Sequence, residues 1–65
     1  MAKRLDLNGR RFWIMSEPQG AGWKAFVVEM VDHRQHEIGI EATADTRTAA
    51  DDAAERKLRR MLRTC

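Results

Sequence analysis

The amino-acid sequence predicts an α+β domain in the order βββα, a three-stranded antiparallel β-meander packed against one C-terminal α-helix. Three observations carry this expectation. Residues 10–17, 23–31 and 36–43 are short runs rich in aromatic and branched apolar side chains. The stretches between them hold proline and glycine or clustered polar residues. Residues 46–65, TRTAADDAAERKLRRMLRTC, place small and then large apolar side chains at helical spacing.

In order along the chain, the first run, RRFWIMSE, puts Phe12 and Ile14 on one side and Trp13 and Met15 on the other, and ends at the loop Pro18-Gln19-Gly20-Ala21-Gly22. The central run, WKAFVVEMV, alternates with Phe26, Val28 and Met30 on one face and Trp23, Ala25, Val27 and Val31 on the other. A polar turn, Asp32-His33-Arg34-Gln35, leads to HEIGIEAT, in which Ile38, Ile40 and Ala42 share one face. Two hairpins in succession make a meander.

The helix is expected to begin near Thr46 to Thr48. Either threonine can cap it, and Thr48 with Asp51 approximates a capping box. Ala50, Ala53, Ala54, Leu58, Met61 and Leu62 form one stripe, expected to lie on the face of Phe26, Val28, Ile38 and Ile40. Acidic Asp51, Asp52 and Glu55 precede basic Arg59, Arg60 and Arg63, a gradient that suits the helix dipole. Asp52 with Arg56 and Glu55 with Arg59 are correctly ordered i,i+4 pairs.

With 65 residues the chain makes one small domain, with residues 10–65 as the βββα unit and residues 1–9 as a flexible or lid-forming segment. A core of that size supplies a net stability of roughly 3–5 kcal/mol at most, so burial against a partner is valuable. No apolar run approaches the roughly 20 residues that span a bilayer, no secretory h-region follows Met1-Ala2-Lys3-Arg4, and the lone Cys65 excludes an internal disulfide. These observations point to a cytoplasmic protein with no membrane partner.

The net charge of +2 conceals segregation: residues 1–11 carry +3, residues 12–55 carry −6 and residues 56–65 carry +5. Basic ends make Arg10, Arg11, Arg47, Arg56, Arg59, Arg60 and Arg63 the candidate nucleic-acid contacts. Chemistry-bearing constellations are lacking. His33 and His36 flank a turn without a third histidine or a second cysteine, no nucleophile has a histidine in a defined relation to it, and Gly20-Ala21-Gly22 lacks a phosphate-loop lysine. The chain is therefore read as not an enzyme, with no catalytic residue, metal or cofactor.

Two strands have apolar side chains on both faces, whereas one helix covers one face. The candidate interaction surface is accordingly Trp13, Met15, Trp23 and Val27, facing a second copy of the chain or another protein. The expected function is a small binding domain for protein–protein interaction or self-association, with an RNA- or DNA-binding accessory module as the alternative.

From Phe12 to Leu62, the strands FWIMSE and AFVVEM and the helix spacing Ala50, Ala53, Ala54, Leu58, Leu62 resemble the βββα core of double-stranded RNA-binding domains. That resemblance implies RNA contacts from the first strand loop and from lysines opening the closing helix. Here Pro18 occupies the loop without the family's histidine, and Thr46-Arg47-Thr48-Ala49-Ala50-Asp51 offers one arginine. Most of the family's RNA-contact residues are absent.

Overall fold

A computed structural model describes residues 2–63. Four strands precede one helix: β1 (Ala2–Leu7), β2 (Arg10–Gln19), β3 (Gly22–Val31), β4 (Arg34–Ala44) and α1 (Arg47–Arg63). The strands form one antiparallel sheet in the order β1-β2-β3-β4. The three-stranded expectation is thereby corrected to ββββα.

The added strand comes from residues 2–7. It neither crosses the second face nor hangs free, but pairs edgewise with β2, setting Leu5 opposite Phe12 and Leu7 opposite Arg10. Two local signals specify this hairpin. Lys3, Leu5 and Leu7 alternate with Arg4 and Asp6, and Asn8-Gly9 supplies two consecutive positive φ angles (53° and 75°). Such a pair is what a two-residue type I′ hairpin loop demands.

The β2–β3 connection tightens to Gly20-Ala21, with Gly20 at φ 58°, so Pro18 and Gln19 extend β2 and Pro18 lies opposite Trp23. At β3–β4 the loop is Asp32-His33, where both residues adopt positive φ (51° and 66°) without a glycine. Along β4, the pairing shifts between Phe26/Glu41 and Val28/Glu37, so that Ile38, Gly39 and Ile40 stand opposite Val27 alone. Gly39, at φ 77°, absorbs the bulge.

The helix begins one residue after Thr46, whose hydroxyl accepts a hydrogen bond from the Ala49 N–H at 3.1 Å. Thr46 is therefore the cap, rather than Thr48 with Asp51. The first turn carries no acidic side chain, so Asp51 and Asp52 sit beyond the strongest part of the dipole field, while Arg60 and Arg63 occupy the last turn as the gradient requires. Of the two i,i+4 pairs, Glu55–Arg59 forms at 3.0 Å, and Asp52–Arg56 is not an ion pair among the described residues.

Ala50, Ala54 and Leu58 are buried against Phe12, Ile14, Ala25, Val27 and Ala42 in a single cluster, flanked by Leu5, Leu7, Trp23, Ile38, Ile40, Ala53, Met61 and Leu62. The helix stripe is the one the spacing predicts, but it docks on the other face of β3: Ala25 and Val27 lie beneath it, not Phe26 and Val28. The physical reason is steric. Ala25 stands opposite Ala42 in the β3–β4 ladder, and this pair of small side chains lets the alanines of α1 approach the sheet closely.

Polar clips border this core. Lys3 of β1 donates to Glu55 of α1 at 2.8 Å, and Lys57 donates to the Glu41 carbonyl at 2.9 Å. Arg10 binds Glu29 in a fork, with Nε and Nη2 at 2.8 and 2.7 Å from the carboxylate, and its guanidinium lies 5.2 Å from the Phe12 ring centroid.

Candidate interaction face

Alternation along four paired strands assigns the remaining side chains to the face that α1 does not touch. The ladder arranges them in rows across the sheet. One row reads Asp6, Arg11, Met30, Gln35; the next Arg4, Trp13, Val28, Glu37; the next Met15, Phe26, Glu41 from β2 to β4; and the last Glu17, Lys24, Thr43. Trp13, Met15, Phe26 and Met30 are half-buried in a patch on the two central strands. Val28 lies at its centre, 2 % exposed yet outside the cluster beneath the helix. Large neighbours in the same and adjacent rows cover it.

Charged side chains ring the patch. Asp6 lies 3.5 Å from both Arg4 and Arg11 on the β1 side, and Lys24 lies 3.4 Å from Glu41 on the β4 side. Glu37 has no ion pair among the described residues. Where Gly39 bulges outward, a shallow depression opens beside Phe26, bordered by Glu17, Lys24, Glu37 and Glu41.

Of the four expected interface residues, Trp13 and Met15 lie on this face. Trp23 and Val27 do not: Trp23 packs half-buried against the helix-side core, and Val27 is 1 % exposed within it. Phe26, Val28 and Met30 take their place. Their common face was legible from alternation, but the register that puts them beside Trp13 and Met15 was not.

The basic candidates divide between the two sides. Arg10 lies on the helix side, locked to Glu29, and Arg11 lies on the open face near Asp6. Arg47 opens the helix, and Arg56, Arg59, Arg60 and Arg63 follow along it. The helix runs back toward the β1–β2 turn, so Arg59 and Arg63 share a depression with Leu7 and Asn8.

Glu29, Glu55 and Lys3, all on the helix side, titrate away from their ordinary values. The Arg10 hydrogen bonds hold Glu29 below the usual carboxylate range. The hydrogen bond from Lys3, joined by Arg59, holds Glu55 down, and the same bond raises Lys3.

Among the described residues no three His, Cys, Asp or Glu side chains converge as metal ligands, and no helix is long and apolar enough to cross a membrane. Cys65 lies outside the described residues. No protein-family model, curated protein or solved structure matches the chain.

Proposed function

We propose that this chain is a small non-enzymatic binding domain that engages protein through the open face of its sheet. The observation carrying this reading is the half-buried patch of Trp13, Met15, Phe26 and Met30 on a face no other described element covers. Withdrawing such side chains from water yields about 25 cal/mol per Å² of apolar area, and a domain this small gains stability by making that contact. The charged rim matches the usual anatomy of an interface, apolar at its centre and polar at its edge. A cytoplasmic setting belongs to the same reading.

Site-specific photo-crosslinking in cells tests it. A crosslinking amino acid at Glu17, on the open face, is expected to give discrete adducts that Trp13→Glu suppresses, whereas one at Arg56, on the outer helix surface, is expected to give none. Absence of adducts from position 17, or adducts that ignore Trp13→Glu, would remove the reading.

A second reading rests on the approach of Arg59 and Arg63 to the β1–β2 turn, which gathers basic side chains at one end of the molecule. It is nucleic-acid binding by those arginines with Arg56 and Arg60. A titration with labelled duplex RNA, duplex DNA and single strands at low salt tests it. Binding that falls steeply as salt rises supports it, and no binding at micromolar protein eliminates it.

A further inference from the structure

We propose that the occupant of the open face is a second copy of this chain, related by a two-fold axis that runs parallel to the strands between β2 and β3. The inference rests on the interaction-face reading above and adds the partner's identity and geometry.

The rows of the sheet carry it. A face-to-face pair with this axis reverses strand order from one sheet to the other, so that β1 lies over β4 of the second copy and β2 over β3. In the central row, Arg4, Trp13, Val28 and Glu37 then meet the same row in reverse. Arg4 faces Glu37 of the second copy at both ends, and Trp13 faces the flush, nearly inaccessible Val28. In the row beside it Met15 faces Phe26, and at the sheet's end Glu17 faces Lys24. Opposite charges meet in two rows, while the first row sets Asp6 against Gln35 and Arg11 against Met30, and Trp13 rests on the side chains that cover Val28.

The other two-fold arrangement places the axis along a row and keeps each strand over its own copy. Centred on the same row, it stacks Arg4 on Arg4, Trp13 on Trp13 and Glu37 on Glu37, which repels at both ends and overfills the middle. Facing sheets pack about 10 Å apart with strands within about 30° of each other, a separation that paired Arg and Glu side chains span. The contact is isologous and closes as a dimer. Arg4 is more than half exposed and, among the described residues, ion-paired only with equally exposed Asp6 at 3.5 Å, so it is available to turn toward Glu37 of a second copy.

Sedimentation across a concentration series, with circular dichroism to confirm the fold of each variant, tests the proposal. The wild-type chain is expected to pass from monomer to dimer. Arg4→Glu or Glu37→Arg alone sets like charges together at both symmetry-related sites and is expected to weaken the dimer at least about tenfold. The double variant R4E/E37R is expected to recover it. Both positions are exposed, so neither swap endangers the core.

A monomer at every concentration overturns self-association, while the crosslinks from position 17 decide separately whether the face binds anything. A dimer abolished by Trp13→Glu but not rescued by the double swap overturns the axis and keeps the face. A dimer indifferent to Trp13→Glu, and to Met15→Lys should the first variant fail to fold, assembles elsewhere, as at an edge strand, and overturns the proposal.

Discussion

On the two central strands both faces of the sheet are apolar, but they are opposite in shape. Beneath the helix, Ala25 and Ala42 leave room for Ala50 and Ala54, and Phe12, Ile14, Val27 and Leu58 fill the space around them. On the other face Trp13, Met15, Phe26 and Met30 stand over Val28 with nothing small enough at the centre to admit a helix backbone. Apolarity alone does not mark the core of a small sheet. A helix led by alanines docks where the sheet is lined by small side chains, and the bulky face is left uncovered by the other described elements.

The contrast is sharpest at buried positions. Leu58→Ala is expected to cost about 2–5 kcal/mol, a large part of the available stability, whereas Met30→Ala on the half-buried face costs about 1 kcal/mol or less in the monomer. Val27→Glu, beside Leu58 in the core cluster, leaves an unpaired buried charge and is expected to abolish cooperative unfolding, while Trp13→Glu leaves a folded chain. Urea titrations of the four variants at dilute concentration compare the faces directly. Equal losses at Leu58 and Met30 would erase the distinction.

Where β4 leaves the sheet for the helix, the fit is tight. A Cβ at Gly22 would come 2.6 Å from the Ala44 carbonyl oxygen, a backbone atom, so Gly22→Ala is expected to lower stability by about 1–3 kcal/mol. Unchanged stability in thermal melts would mean that the connection shifts freely and does not fix the helix over its face.

The opposite end of the sheet carries backbone strain. His33→Gly replaces a residue held at φ 66° with one that adopts that angle readily, and is expected to stabilise the β3–β4 hairpin by up to about 1 kcal/mol. A lower denaturation midpoint would show that the imidazole makes a compensating contact.

The smallest expected effect is the response to pH, which comes from the helix side. Glu29 and Glu55 are held below their ordinary values by Arg10 and Lys3, so their contribution is present above about pH 4.3 and is lost as pH falls through their lower folded values. Lys3 is raised, so its share persists below about pH 10.4 and is lost as pH rises through its folded value. Arg10→Met is expected to flatten the acid limb of a stability–pH curve. An acid limb unaltered in that variant would detach Glu29 from the effect.

Much of this architecture was legible from residue order. The β2, β3 and β4 runs, the helix and its stripe from Ala50 to Leu62 all follow from local periodicity, because side-chain direction repeats every two residues in a strand and every 3.6 in a helix. The Asn8-Gly9 turn was also legible, and with it β1; the alternation of Lys3, Leu5 and Leu7 is short and ends in charges, which makes it a weak signal beside a strong one. Half of the expected interaction surface, Trp13 and Met15, follows from the same alternation.

By itself the sequence determined that β2 and β3 would each present two apolar faces and that a single helix could cover only one. Tertiary structure decided which. Alternation states that Phe26 and Val28 oppose Ala25 and Val27, but nothing along one strand distinguishes inside from outside when both sets are apolar. That choice depends on which side chains neighbouring strands bring alongside: Ala42 next to Ala25, Ile14 next to Val27, and Trp13 next to Val28. It depends equally on the shift at Gly39, which sets Ile38, Gly39 and Ile40 opposite Val27 alone while both isoleucines keep to the core side. Pairing across strands is non-local, so the volume left for the helix, and hence the face left open, exists only once the sheet has formed.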